Sequence, residues 1–375
     1  MHWIAAVAGV ALIIVVLRDT FETIILPRRA TRRYRLTRLF YVVVWTPWRA
    51  LARRLSARER ERVLSVFGPL SLLLLLGVWA VVMTFGFALL QFGLQLHLST
   101  NSATTFSTYL YFSGTNIVTL GLGDILPIGG LARALTVAEG FLGLGFLALV
   151  IGYFPVLYQA FSRREVEISL LDARAGSPPS AHELLARNLH DNGQILANLL
   201  ADWERWSAEL MESHLSYPQL CYFRSQHDNE SWLASLTVLL DTCALLMANV
   251  ESGCSRQAEM TFAIARHAVV DLSQVFLTPP QPPSRDRISG ETFHELRGLI
   301  AKRGLSLRDE RAARNRLDEL RKMYEPYVTG LSQFLLMSLP AFSRAQHPDN
   351  WQTSAWGRIT NGGAKPEELL HDDHA

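Results

Sequence analysis

A chain of 375 residues that is 49% hydrophobic and 19% charged, with a mean hydropathy of +0.14, is neither disordered nor collagen-like, and is too apolar for an ordinary soluble enzyme. Its three cysteines, Cys221, Cys243 and Cys254, offer no disulfide framework and no paired metal spacing, and they fit a reducing compartment. The net charge of +2 hides a sharp segregation: residues 1–64 hold thirteen arginines against four acids, residues 65–162 hold only Asp124, Arg133 and Glu139, and the excess of acid lies in 163–375. A window so poor in charge belongs in a bilayer, so the chain reads as all-α, a membrane module followed by a helical domain. The arginines crowd beside apolar runs and not on a free basic arm, which argues against a nucleic-acid partner.

His2–Leu17 is an almost unbroken apolar run with no basic region before it and no cleavage site after it, so a signal peptide is not expected. It is short for a span, but Phe21, Ile24 and Ile25 share a helical face, and the helix is expected to continue to Pro27. About 25 residues at ~1.5 Å each reach ~37 Å, enough to cross. Residues 1–27 are therefore read as an N-terminal transmembrane helix. Residues 28–62 carry twelve arginines. Within them Leu39–Trp45 and Trp48 suggest a helix lying in the interface, on a segment suited to anionic lipid. A second span is expected over 63–92, with Gly68-Pro69 near its start, and a third over 131–154, stopping before Pro155. Arg163 and Arg164 follow it. An arginine-rich cytoplasmic side then puts the N-terminus and the 93–130 connection outside and the C-terminal domain inside, in a multi-pass protein of the plasma or inner membrane.

Between the second and third spans lies Thr104–Pro127, too short and too polar to cross. Thr104 or Thr105 can cap a helix over 105–118, whose ~20 Å reaches part-way into a ~30 Å core. Non-helical backbone at that depth is tolerated only inside protein or lining water. Thr119-Leu-Gly-Leu-Gly-Asp124 follows. Glycines alternating with other residues permit alternating backbone handedness, which points successive carbonyls to one side. A ring of such segments makes oxygen cages that replace an ion's water, and the C-terminal end of the helix behind favours cations.

The segment 119–124 resembles the T-V-G-Y-G-D filter of the potassium-channel pore-module family, the two-transmembrane pore-loop channels, here with an extra N-terminal helix. The surroundings match: span, pore helix, filter, Asp124, a proline at 127, then a span with Arg133 at its start and Gly143 at the usual hinge position. The resemblance covers 63–162. It implies an outer helix, pore helix, filter and inner helix, and potassium ions held by Thr119, Leu120, Gly121, Leu122 and Gly123. Two positions depart from the pattern. Leu120 replaces valine, and Leu122 replaces a tyrosine whose hydroxyl would tie the filter to its surroundings. Thr115 and Asn116 occupy pore-helix positions that support the filter in relatives. Asp124 is either a cation-concentrating group at the outer mouth or a bracing acceptor. Glu139, an acid inside a span, is read as a brace behind the filter or a cavity-facing charge, against a partner for Arg133. Gly143 is a candidate gating hinge, with close helix packing the somewhat better-supported alternative, and Gly140, Gly145 and Gly152 lie nearby.

Residues 163–345 read as a helical cytoplasmic domain and 346–375 as a tail. Ser180-Ala-His-Glu183 is a capping box, and Leu184 to Leu200 carry helical spacing. Further helices are expected near 229–250, 255–276, 291–303 and 308–338, with Thr278–Pro283 a stiff linker. The apolar run 232–250 contains Asp241 and reads as a core helix, a fourth span being the alternative. His371-Asp-Asp-His374 reads as a solvated tail, and the Asn229 sequon falls on the cytoplasmic side. The sequence contains no nucleophile elbow, Walker loop, HExxH or dinucleotide fingerprint, so no enzyme activity, cofactor or resident metal is expected. One filter per chain calls for a homotetramer. The lead reading is a potassium channel. The rivals are a weakly selective cation channel on the same fold and a non-conducting membrane anchor for a helical signalling domain.

Overall fold

The computed structural model describes residues 2–26, 35–100, 103–226, 230–251 and 254–343. Pro27, Arg28–Arg33, Asn229 of the sequon, and the tail with His371–His374 lie outside the described residues. The chain divides into two units, Met1–Gln159 and Ala160–Ala375. It is an all-α protein, and among the described residues four helices are long and apolar enough to cross a membrane.

In the first unit, α1 (His2–Thr20) continues as a wider π-type turn, Phe21–Ile25. α2 (Leu36–Ala52) is amphipathic. It turns Phe40, Tyr41 and Trp45 inward, while Leu39, Val42, Val43 and Leu51 stay exposed. Trp45 and Trp48 meet Phe67 with ring centroids 4.7 and 5.5 Å apart. α3 (Ala57–Gly93) is the outer helix, and it begins six residues before the expected 63. The cause is a capping signal in the arginine-rich stretch: Glu59 reaches back to accept from Ser56 N at 3.3 Å and Ser56 Oγ at 2.7 Å. Arg58, Arg60 and Arg62 therefore stand on the first turns of α3 and not on a separate segment.

Close packing holds α1 against α3. A Cβ on Gly9 would lie 2.5 Å from Gly86 O, and one on Gly93 would lie 2.3 Å from Ala6 N. Small residues let the two backbones approach, which is how helices associate where lipid removes the hydrophobic drive. At the other end of α1, buried Asp19 ties three helices together. It accepts from Thr37 N at 3.0 Å, Thr37 Oγ1 at 2.6 Å and Trp79 Nε1 at 2.9 Å.

Beyond α3 come β1 (His97–Ser99), α4 (Phe106–Ile117), β2 (Leu126–Ile128) and α5 (Gly130–Ala175). The strands pair antiparallel with Leu98 opposite Pro127, a short ribbon that the sequence reading did not anticipate. Under it Ala88, Leu96, Leu98, Tyr109, Phe112 and Ala132 form one core, and Tyr109 Oη donates to Leu96 O at 2.7 Å. α5 is the inner helix, and it corrects the expected end at 154. The helix passes through Pro155 and continues to Ala175. A proline there forfeits one backbone bond, to the carbonyl four residues back, and membrane helices tolerate that loss.

The second unit takes residues 160–175 of α5 and adds α6 (Ala181–Asn188), α7 (Gln194–Ser216), α8 (Trp232–Asn249), α9 (Ser255–Val275), α10 (Gly290–Lys302), α11 (Glu310–Lys322) and α12 (Glu325–Leu335). The single helix expected over 308–338 is two. Pro326 lacks the N–H and is accommodated in a first turn, so a new helix starts at Glu325. The run from Leu184 to Leu200 is likewise divided, by Asn192 and Gly193 at φ 53° and 85°. α8 is apolar all round because α6, α7, α9, α11 and α12 surround it, and all but one of its residues are buried within this unit. Arg164 is buried too. It donates to Leu220 O and Phe223 O at 3.0 Å and faces His214 Nε2 at 3.2 Å. Burial, then the Arg164 charge, hold His214 well below its ordinary range, so that it stays neutral.

Candidate functional site

The site is built from the end of α4. Thr105 caps the helix and leaves its N–H to Thr108 Oγ1 at 3.1 Å. The helix stops because Thr119 turns left-handed, at φ 59°. Its last carbonyls are then taken up by the chain that folds back over them. Asn116 O accepts from Thr119 N at 3.0 Å, and Thr115 O accepts from both Leu120 N at 2.8 Å and Gly121 N at 3.2 Å.

From Thr119 the backbone alternates. Thr119, Gly121 and Gly123 have φ of 59°, 52° and 78°, and Leu120 and Leu122 between them do not share that sign. Glycine reaches this region freely, but for a β-branched threonine it is a genuine outlier, the kind of strain that concentrates at functional loops. Among the described residues, nothing beyond its chain neighbours lies within 4 Å of a Cβ built on Gly121 or Gly123, so backbone handedness, and not crowding, demands glycine there. The side chains of Leu120 and Leu122 are exposed in the single chain.

Two braces hold this loop. In the first, Tyr111 Oη donates to Asp124 Oδ2 at 2.9 Å, which fixes the end of the loop to the pore helix. The second lies behind the loop. Buried Glu139 accepts from Gln91 Nε2 at 2.7 Å and from Ser113 Oγ, with the Asn116 side chain beside it. Glu139 thus bonds to the outer and pore helices, and these bonds occupy the carboxylate that was weighed as a partner for Arg133. Gly143 sits where α5 meets the end of α4: a Cβ there would lie 2.3 Å from Ile117 O. A Cβ on Gly140, Gly145 or Gly152 meets nothing within 4 Å among the described residues outside its own helix.

Of the residues singled out in the sequence, the fold gathers Thr115, Asn116, Thr119–Asp124, Glu139 and Gly143 around one loop. Tyr111, Gln91 and Ser113 were missed. A signal existed for Gln91, since an uncharged polar side chain inside an apolar span needs a partner.

Residues 73–159 match the family model described as ion channel. An uncharacterized membrane protein of Bacillus subtilis (strain 168), YdjJ, is 26% identical over 186 residues, which are 48% of this chain and 53% of that protein. The chain thus spans about half the length of that relative. No solved structure matches. The matched segment takes in the later part of α3, α4, the loop and the first thirty residues of α5, so it is this helix–short helix–loop–helix unit that is similar to the ion-channel family.

Proposed function

We propose that the protein is a potassium channel, a homotetramer in which four copies of Thr119–Gly123 surround one axis and hold dehydrated ions with backbone oxygens. The alternating left-handed backbone at Thr119, Gly121 and Gly123, at the C-terminal end of a helix that stops inside the membrane module, carries this reading. Such a backbone directs consecutive carbonyls the same way, and the helix end adds negative potential where cations would collect. Asp124, held by Tyr111, forms the outer mouth. Thr115 and Asn116 support the filter through their carbonyls, and Glu139 supports it from behind. The contact of Gly143 with Ile117 favours packing over a hinge. Flow is passive, so the protein needs no catalytic residue or cofactor, and potassium is the cargo.

The arginine distribution supports an N-terminus outside and the 160–343 helices in the cytoplasm. On that side α2 lies with its apolar face partly exposed, and Arg53, Arg54 and Arg58 follow it, an arrangement suited to anionic lipid headgroups. Uptake of radioactive rubidium into potassium-loaded proteoliposomes tests the conducting role. The wild type is expected to accumulate rubidium, and Gly121→Ala, whose Cβ resists φ 52°, is expected to fall to the level of empty vesicles. Equal uptake by both would refute a path through this filter.

A further inference from the structure

Gln91 is 1% exposed, between Leu90 and Phe92 on the outer helix. Its amide bonds to Glu139 Oε2, and the other carboxyl oxygen takes the Ser113 hydroxyl. One hydrogen-bonded line therefore crosses from α3 through α5 to α4. Two residues beyond Ser113, the Thr115 carbonyl receives the N–H groups of Leu120 and Gly121, and next to it the Asn116 carbonyl receives that of Thr119. The amides of the first half of the filter thus hang on the last turn of α4, and a side chain of α3 holds the carboxyl against that turn. The stretch of α3 that carries Gln91 is itself gripped by α1, through the close approaches at Gly86, Leu90 and Gly93.

We propose that Gln91 is a positioning residue of the filter: through Glu139 it sets where the last turn of α4 presents the amide partners of Thr119, Leu120 and Gly121. The proposal rests on reading those residues as an ion filter. A polar pair that merely fastened α3 to α5 would add stability and leave ion discrimination alone. A pair that positions α4 changes the spacing of the filter oxygens when it is cut. Leaving a buried carboxyl without its donor is expected to shift the local equilibrium about tenfold, about 1.4 kcal/mol.

The test uses the full chain in lipid and reads two quantities. One is the potassium-to-sodium permeability ratio from reversal potentials. The other is hydrogen–deuterium exchange of the peptide covering 115–124, which is independent of conduction. Gln91→Leu is expected to lower the ratio about tenfold and to speed exchange at 119–121 by a similar factor. The double variant Gln91→Glu with Glu139→Gln keeps an amide–carboxylate pair with its ends exchanged, and leaves an oxygen for Ser113. It is expected to restore both readouts. If Gln91→Leu does not fold, Gln91→Asn is read instead, because it shortens the arm by one carbon, ~1.5 Å, and loses the bond. Unchanged exchange in the single variant, or a swap that fails to restore it, would overturn the proposal. Faster exchange beside a wild type that does not discriminate potassium from sodium would uphold the positioning role and remove the potassium reading.

Discussion

Alanine at 143 is expected to abolish potassium-selective current. A Cβ there would stand 2.3 Å from the Ile117 carbonyl oxygen and 3.0 Å from Ile117 Cα, so one methyl has to displace the backbone that ends the pore helix. Overpacking of this kind costs about 1–3 kcal/mol where side chains can yield. Here the opposing atoms are backbone, and that backbone adjoins the Asn116 and Thr115 carbonyls that accept from the amides of Thr119, Leu120 and Gly121. The permeability ratio and the thermal stability of the protein should fall together. Gly145→Ala, whose Cβ meets no described residue outside its own helix within 4 Å, is the matched comparison and should stay near wild type. Single-channel recording separates this account from a hinge. A lost hinge lowers open probability and leaves the reversal potential in place, whereas a displaced filter moves the reversal potential.

The second large effect is expected in the helical unit. Arg287→Met should destabilise it by about 3–5 kcal/mol, measured by thermal or denaturant unfolding. Asp241 is fully buried in the middle of α8 and takes two bonds from Arg287, at 2.6 and 2.9 Å, and one from Tyr324 Oη at 2.5 Å. Arg287 Nε also donates to Glu325 Oε1 at 2.8 Å. Removing the guanidinium leaves the buried Asp241 carboxylate with the Tyr324 hydroxyl and without a countercharge, while Glu325 keeps its ion pair with Arg321. The paired change Asp241→Asn with Arg287→Met should recover part of the loss, because the buried charge goes with its partner. A single Arg287→Met variant within 1 kcal/mol of wild type would show that the pair contributes little.

The pore loop was legible because its chemistry is local. Thr119–Asp124 needs glycines in alternation, and that spacing survives in the bare sequence, as does the polar interruption between two apolar runs. The braces were not legible because their partners are remote. Glu139 stood out as an acid in a span, but Gln91 lies 48 residues from it and Tyr111 lies 13 from Asp124. Only the fold brings them together. Gly143 was weighed both as a hinge and as a close-packing site; its partner, the Ile117 carbonyl, is a contact that no sequence pattern encodes. Prolines misled in both directions. Pro155 looked like a stop, yet α5 runs through it, whereas Pro326 was passed over inside a periodic stretch and begins a new helix. A proline in a helix interior loses a single bond, and the packing on either side decides whether the helix survives. Ser56 and Glu59 carried a readable capping signal that the density of arginines concealed.

The measurement that bears most directly on the account is the reversal potential of the purified full-length protein in a planar bilayer, with potassium on one side and sodium on the other. Current that reverses close to the potassium equilibrium potential is the predicted result, and it would show that backbone oxygens select potassium with Leu120 and Leu122 in place of the usual valine and tyrosine. Current that reverses near zero would contradict potassium selectivity and leave a weakly selective cation pore on the same module.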